Sequence, residues 1–232
     1  MELTHVKLDS IQTVNEEQDI RIYYNGFLPH WRQDGCTYFV TFRLADSIPR
    51  PVLEEWRFER DQWLTARGID VQVANGCEKL EAISKQDLRL FEKHFTGKLF
   101  EYLDKGLGAC PLRNCCISRI VSDALVYFHG SRVSTGDFVV MPNHVHALLT
   151  PWEGYELEDI LHSVKSYTSN QINKKLVRTG TLWMEESYDH IVRDGEDLIR
   201  IQNYIRKNPE KANLTSHEYR YQYAEYQLPK LT

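Results

Sequence analysis

The strongest constraint on the fold is the stretch from Phe138 to Leu149, where two apolar runs meet at Pro142-Asn143. Phe138-Val-Val-Met141 and His144-Val-His-Ala-Leu-Leu149 are rich in β-formers, and the Pro-Asn pair between them is turn chemistry. Residues 134–150 therefore predict a β-hairpin whose return strand starts at His144. Side chains alternate faces along a strand, so His144 and His146 share one side and Val145 anchors the other in the core.

Hydrophobic periodicity predicts the rest. Residues 1–35 are polar, with a turn at Tyr23-Tyr24-Asn25-Gly26, and residues 38–44 form a first strand. Residues 52–66 and 84–103 read as helices separated by an irregular stretch. An amphipathic helix over 117–129 sets Ile117, Ile120, Val121, Ala124, Leu125 and Phe128 on one face. A helix over 156–176 turns Leu157, Ile160, Leu161, Val164 and Ile172 inward, and residues 182–192 give a fourth strand. A last helix over 196–208 stops at Asn208 because Pro209 follows. With 51–110 taken as a helical insertion after the first strand, the order is β-α-β-β-α-β plus a helix. That order is the α+β, ferredoxin-like split βαβ sandwich, an antiparallel sheet with helices on one face. The expected organisation is an N-terminal extension (1–37), one domain (38–214) and a C-terminal tail (215–232).

Composition narrows the function classes. A length of 232 residues is ample for a hydrophobic core. The net charge of −5 argues against a general duplex-DNA binder, although a local site can differ from the average. Residues 160–214 carry nine Lys and Arg against seven Asp and Glu, so the acidic excess lies elsewhere. Five cysteines, an odd number and without a C-x-x-C pair, are expected to be reduced thiols in a cytosol. The N-terminus does not read as a signal peptide, and no apolar run approaches the roughly 20 residues that span a bilayer.

Two patterns carry chemistry. Imidazole binds divalent cations through a neutral nitrogen, so His144 and His146 on one strand face can share a metal. Two histidines on a solvated strand face are the alternative. In the last helix Tyr204 and Asn208 stand at i, i+4 and share a face. Tyrosine can form covalent intermediates, and the Asn208 carbonyl suits Mg²⁺ or Mn²⁺. The alternatives are a core aromatic beside Ile201 and Ile205 and a helix C-terminal cap. Arg206, Lys207 and Lys165 are candidate DNA contacts, with solvated lysines and arginines the competing reading. Tyr188 is a rival nucleophile, Asp189 and His190 are a polar pair at a strand end, and Trp183 reads as core.

Four blocks together resemble the IS200/IS605-type transposases, and within them the REP-associated tyrosine transposases of the HUH class. They are Val140-Met-Pro-Asn-His-Val-His-Ala-Leu-Leu-Thr-Pro151, Ser163-Val-Lys-Ser-Tyr167, Leu182-Trp-Met-Glu-Glu-Ser-Tyr-Asp-His190 and Tyr204-Ile-Arg-Lys-Asn-Pro-Glu-Lys-Ala212. The resemblance implies a ferredoxin-like fold, with Mg²⁺ or Mn²⁺ held by His144, His146 and Asn208. It implies that Tyr204 attacks a phosphodiester to give a 5′-phosphotyrosine and a free 3′-OH. It also implies recognition of hairpins in single-stranded DNA, in the bacterial cytosol, by a protein that acts as a monomer or a homodimer. Asn208 stands where the insertion-sequence members usually have Gln, which favours the REP-associated branch. The block 51–110 departs from a minimal transposase, and shaping hairpin recognition or covering the sheet are its two readings. A hairpin-binding protein without cleavage and a metal-dependent hydrolase with a structural Tyr204 are the rival functions. The transposase reading expects both imidazoles and the Tyr204 hydroxyl in one small pocket.

Overall fold

A strand that alternates large apolar residues on both faces must be covered on both sides, and Tyr38–Arg43, here β4, is buried along its whole length. The computed structural model describes residues 7–8, 13–14, 21–24, 29–68, 87, 90–223 and 225–226. Three short strands precede β4: β1 (Lys7–Leu8), β2 (Arg21–Tyr24) and β3 (Pro29–Arg32). After it come β5 (Val133–Val140), β6 (His144–Pro151), β7 (Tyr188–Ile191), β8 (Arg220–Gln222) and β9 (Glu225–Tyr226). The main sheet is antiparallel with the order β7-β4-β6-β5-β8. Without the edge strand β8, that is the fourth, first, third and second strand of the predicted split βαβ unit.

One face of the sheet presents Tyr38, Val40, Phe42, Phe138, Val140, Val145, Ala147 and Leu149. The crossover helices α3 (Cys115–Tyr127) and α4 (Leu157–Lys175) cover it with Ile117, Val121, Leu125, Ile160, Leu161 and Val164. Each such side chain taken fully out of water contributes roughly 1.5–3 kcal/mol, so this face is the main source of stability. The expectation of helices on one face holds for these two. The other face is apolar as well, with Phe39, Val139, Met141 and Leu148, and α5 (Gly195–Lys211) packs Leu198, Ile201 and Ile205 onto it.

The insertion brings its own core. In α1 (Arg50–Thr65), Trp56 and Leu64 pack with Phe91 and with Phe95, Leu99 and Leu103 from the π-helical turn that follows it (Glu92–Thr96) and α2 (Gly97–Asp104). The Trp56 indole N–H donates to the Phe95 carbonyl at 3.1 Å. The excursion leaves and returns at one point. Asp46 Oδ2 accepts from the Ala109 amide at 2.9 Å, and a Cβ at Gly108 (φ +91) would stand 2.7 Å from the Asp46 carbonyl oxygen. Only glycine fits there, on both conformation and space.

Several boundaries differ from the sequence reading. Tyr23 and Tyr24 belong to β2, which pairs with β3, rather than to a turn; Asn25 and Gly26 lie outside the described residues, as do 69–86. Segments read as extension and tail supply strands, because β8 caps the β5 edge and hydrogen-bonds groups left open there. The last helix does not end at Asn208. It runs on to Lys211 with Pro209 inside, and Ala212 N donates to the Asn208 carbonyl at 3.0 Å. Pro209 lacks the N–H that would bond the Ile205 carbonyl, so the helix gives up one bond close to its end, and the proline ring is buried.

Candidate active site

The register β4–β6 sets Thr41 opposite His146 and Arg43 opposite His144, so all four belong to the sheet face covered by α5. The hairpin turn is closed by Met141 N donating to the His144 carbonyl at 2.9 Å. His144 and His146 are both fully buried there, at 1% and 0% exposure, which removes the reading of a solvated pair. Their Nε2 atoms converge to 3.1 Å.

The surrounding hydrogen bonds fix how the rings are presented. The Asn143 amide donates Nδ2–H to the carbonyls of Leu103 (3.4 Å) and Leu107 (3.0 Å). Its Oδ1 therefore faces His144 Nδ1 at 2.6 Å, and since that oxygen can only accept, Nδ1 carries the proton. His144 Nε2 is left as a lone pair. His146 Nδ1 meets the Thr41 hydroxyl at 2.7 Å, which turns its Nε2 toward the same point. Burial pushes the His144 imidazole down to about 3, and burial, His144 and Lys211 hold His146 well below the usual histidine range. Both rings are neutral at pH 7, the form that ligates metals.

Helix α5 delivers the remaining groups. Its N-terminus is capped by the Asp194 carboxylate, which accepts from Asp197 N at 2.8 Å, and Glu196 and Asp197 in the first turn complement the helix dipole. Ile201 and Ile205 seat the helix, and Tyr204 then reaches His146 while Asn208 reaches His144. The Tyr204 hydroxyl lies 3.5 Å from His146 Nε2. Burial, then the Asp104 carboxylate, raises the phenol well above its ordinary value of 10, with Asn208 opposing. Asn208 is 1% exposed, and its Oδ1 is buried without a hydrogen-bond partner.

These residues fit a divalent cation. Two ligands about 2.1 Å from one ion and at right angles stand about 3 Å apart, and the imidazole nitrogens stand 3.1 Å apart. An orphaned amide oxygen beside them is costly unless something positive uses it. No group of three or more His, Cys, Asp or Glu gathers among the described residues, so here the third donor would be an amide.

Rings close around the site. Phe39 stacks on His146 (centroids 5.5 Å, 23°), Phe100 of α2 stacks on Tyr204 (5.8 Å, 27°), and Phe100 meets His146 edge-on at 5.4 Å. The structure thus brings together His144, His146, Tyr204 and Asn208, and leaves the other candidates apart. Lys165 sits on α4 with its ammonium donating to Met184 O, Glu185 O and Ser187 Oγ, and burial lowers it to about 8. Arg206 and Lys207 are exposed, and the Arg206 guanidinium lies 5.3 Å over the Tyr223 ring. Asp189 binds His30 and Arg32 on the α4 side, and His190 bonds Asp197 at 2.9 Å. Tyr188 shares the site face but packs against Phe39 and Phe100, and Trp183 is core, donating to Thr168 Oγ1 at 2.8 Å. Sequence reasoning missed Thr41, Phe100, Asp104 and Asn143 as partners of the site. Asn143, the neighbour of His144, was visible only as a turn residue, and the other three become neighbours only through tertiary packing.

Comparison with known proteins agrees on the segment that carries this geometry. Residues 127–208 match the model of a family described as transposase IS200 like, a span that holds both histidines, Tyr204 and Asn208. That segment is similar to the IS200-like transposases, the family that the sequence motifs resemble. Among solved structures, one match is described as the structure of the REP associates tyrosine transposase bound to a REP hairpin. It is 16% identical, covers 83% of this chain and 74% of that one, and superposes with a TM-score of 0.43. No curated protein matches the sequence.

Proposed function

We propose that this chain is a metal-dependent single-strand DNA endonuclease and transesterase that recognises hairpin DNA and forms a 5′-phosphotyrosine at Tyr204. The observation that carries it is the convergence of the two Nε2 atoms, 3.1 Å apart, with the Tyr204 hydroxyl 3.5 Å from one of them. His144, His146 and Asn208 would hold Mg²⁺ or Mn²⁺, which when bound supplies positive charge that polarises the scissile phosphate. The Asn143 and Thr41 contacts hold both imidazoles in position before substrate arrives. Tyr204 is placed on a rigid helix to attack. Its oxygen bonds to phosphorus, the bond from phosphorus to the 3′-oxygen breaks, and the phenolic proton is balanced by the one the 3′-oxygen takes up. A second strand's 3′-OH reverses the step and joins DNA without ATP. Hairpin recognition and action in a bacterial cytosol follow from the family expectation, with Arg206 and Lys207 as the exposed cations nearest Tyr204 in the chain.

One observation favours a second reading. Phe100 covers Tyr204, as expected of a protein that binds hairpins without cutting. Incubating the protein with hairpin-flanking single-stranded DNA and Mn²⁺, then running a denaturing gel, decides between them. A covalent protein–DNA band supports the transesterase. A native gel shift with no band under any divalent metal leaves the binding protein, and cleaved DNA with no band points to hydrolysis.

A further inference from the structure

The insertion ends in an acid where helix chemistry disfavours one. Asp104 is the last residue of α2, so its charge sits against the negative end of the helix dipole. It is nonetheless largely buried, with a side chain 11% exposed. Its Oδ2 accepts from Lys211 Nζ at 2.8 Å, and its Oδ1 faces Asn208 Nδ2 at 3.3 Å. Both partners are on α5, one on either side of the helix's final turn.

We infer that Asp104 is a positioning residue that turns the Asn208 carbonyl oxygen toward the imidazole pair. The inference rests on the metal-site reading above. A primary amide has two faces of opposite character: the oxygen can ligate a cation and the NH₂ cannot. Nothing in an Asn side chain's shape selects between them. An ionised carboxylate has no proton to give, so only the NH₂ can face Asp104. The oxygen must then point the other way, and it is the atom buried without a hydrogen-bond partner, on a side chain that neighbours His144. Lys211 Nζ, 2.8 Å from Asp104 Oδ2, supplies the countercharge. The same insertion holds the other side of the site, since Leu103 and Leu107 fix the Asn143 amide that orients His144. The block 51–110 is therefore part of the metal centre's support rather than only a cover for the sheet.

The test is Mn²⁺ affinity, measured by the electron paramagnetic resonance of free Mn²⁺ on variants whose fold is checked by circular dichroism. Asp104→Ala is expected to weaken binding about tenfold or more, the range of losses for outer-shell partners. Asp104→Ser, which also lacks the carboxylate, gives the same answer should the alanine variant not fold. The decisive arm uses Asn208→Asp, whose two oxygens are equivalent and need no orienting. In that background Asp104→Ala is expected to cost nothing. Affinity within twofold of wild type for Asp104→Ala, or an equal loss in both backgrounds, overturns the inference and leaves the metal site standing. Absence of Mn²⁺ binding by the wild-type protein overturns both.

Discussion

Two buried polar clusters, one on each face of the sheet, differ in how far they are satisfied. On the α4 side, Asp189 is 5% exposed and its carboxylate is engaged by His30 and by the Arg32 guanidinium, which also reaches Glu158. Those ion pairs draw the Asp189 carboxyl below its usual value despite burial. On the α5 side, the buried polar atoms are left with capacity: two nitrogens meeting at 3.1 Å and an amide oxygen without a partner. Burial is equal and satisfaction is not. A network closed on itself holds the structure together, whereas an incompletely satisfied one is arranged for something that arrives from outside.

Substitutions on the two faces should therefore separate chemistry from stability. The largest effect is expected from Tyr204→Phe, which removes one oxygen and should reduce covalent adduct to background while hairpin binding in a native gel persists. Adduct formed by that variant would overturn the assignment of the nucleophile. Next, His144→Ala or His146→Ala should weaken Mn²⁺ binding roughly 100-fold, at least the upper range for outer-shell partners, with a smaller fall in melting temperature than any change at Asp189. Asp189→Ala should act the other way round. It removes the acceptor that His30 and Arg32 share and leaves Arg32 with Glu158 alone; breaking a buried pair costs up to about 3–5 kcal/mol, readable as a drop in the urea midpoint. If the folded fraction of that variant binds Mn²⁺ normally, the division between faces holds.

The smallest effect concerns pH. Asp197 accepts from His190 and from the backbone of Arg193, pairs with Arg200, and is held well below the usual carboxylate range against the opposing effect of burial. A depressed carboxyl contributes stability that is present above its unfolded value of about 3.9 and is lost as pH falls through the folded one. The urea midpoint should thus decline below about pH 4, and Asp197→Asn should flatten that decline while lowering the midpoint at pH 7. An unchanged acid limb in the variant would show that another carboxyl dominates.

Much of this was legible from the chain because the signals are local. Alternation along Val140 to Leu149 placed His144 and His146 on one side, and helical spacing placed Tyr204 beside Asn208. The order of elements gave the sheet, since each crossover helix announces its apolar stripe. What stayed hidden depends on pairing across the chain. Thr41 meets His146 through strand register, and Asp104 meets Asn208 through the docking of an insertion. Neither follows from a spacing. The end of α5 was misjudged because Pro209 is a stop signal in isolation, but burial and the bond from Ala212 to Asn208 carry the helix past it.

The Thr41–His146 contact joins residues 105 positions apart, and the Tyr204–His146 contact joins residues 58 apart. Contacts of such separation require the chain between them to be present and its loop closed before they contribute. A polypeptide still leaving the ribosome therefore holds its imidazoles long before it holds its phenol. By this account the newborn protein has neither its third metal donor, Asn208, nor its nucleophile in place until its last long helix is released and docks.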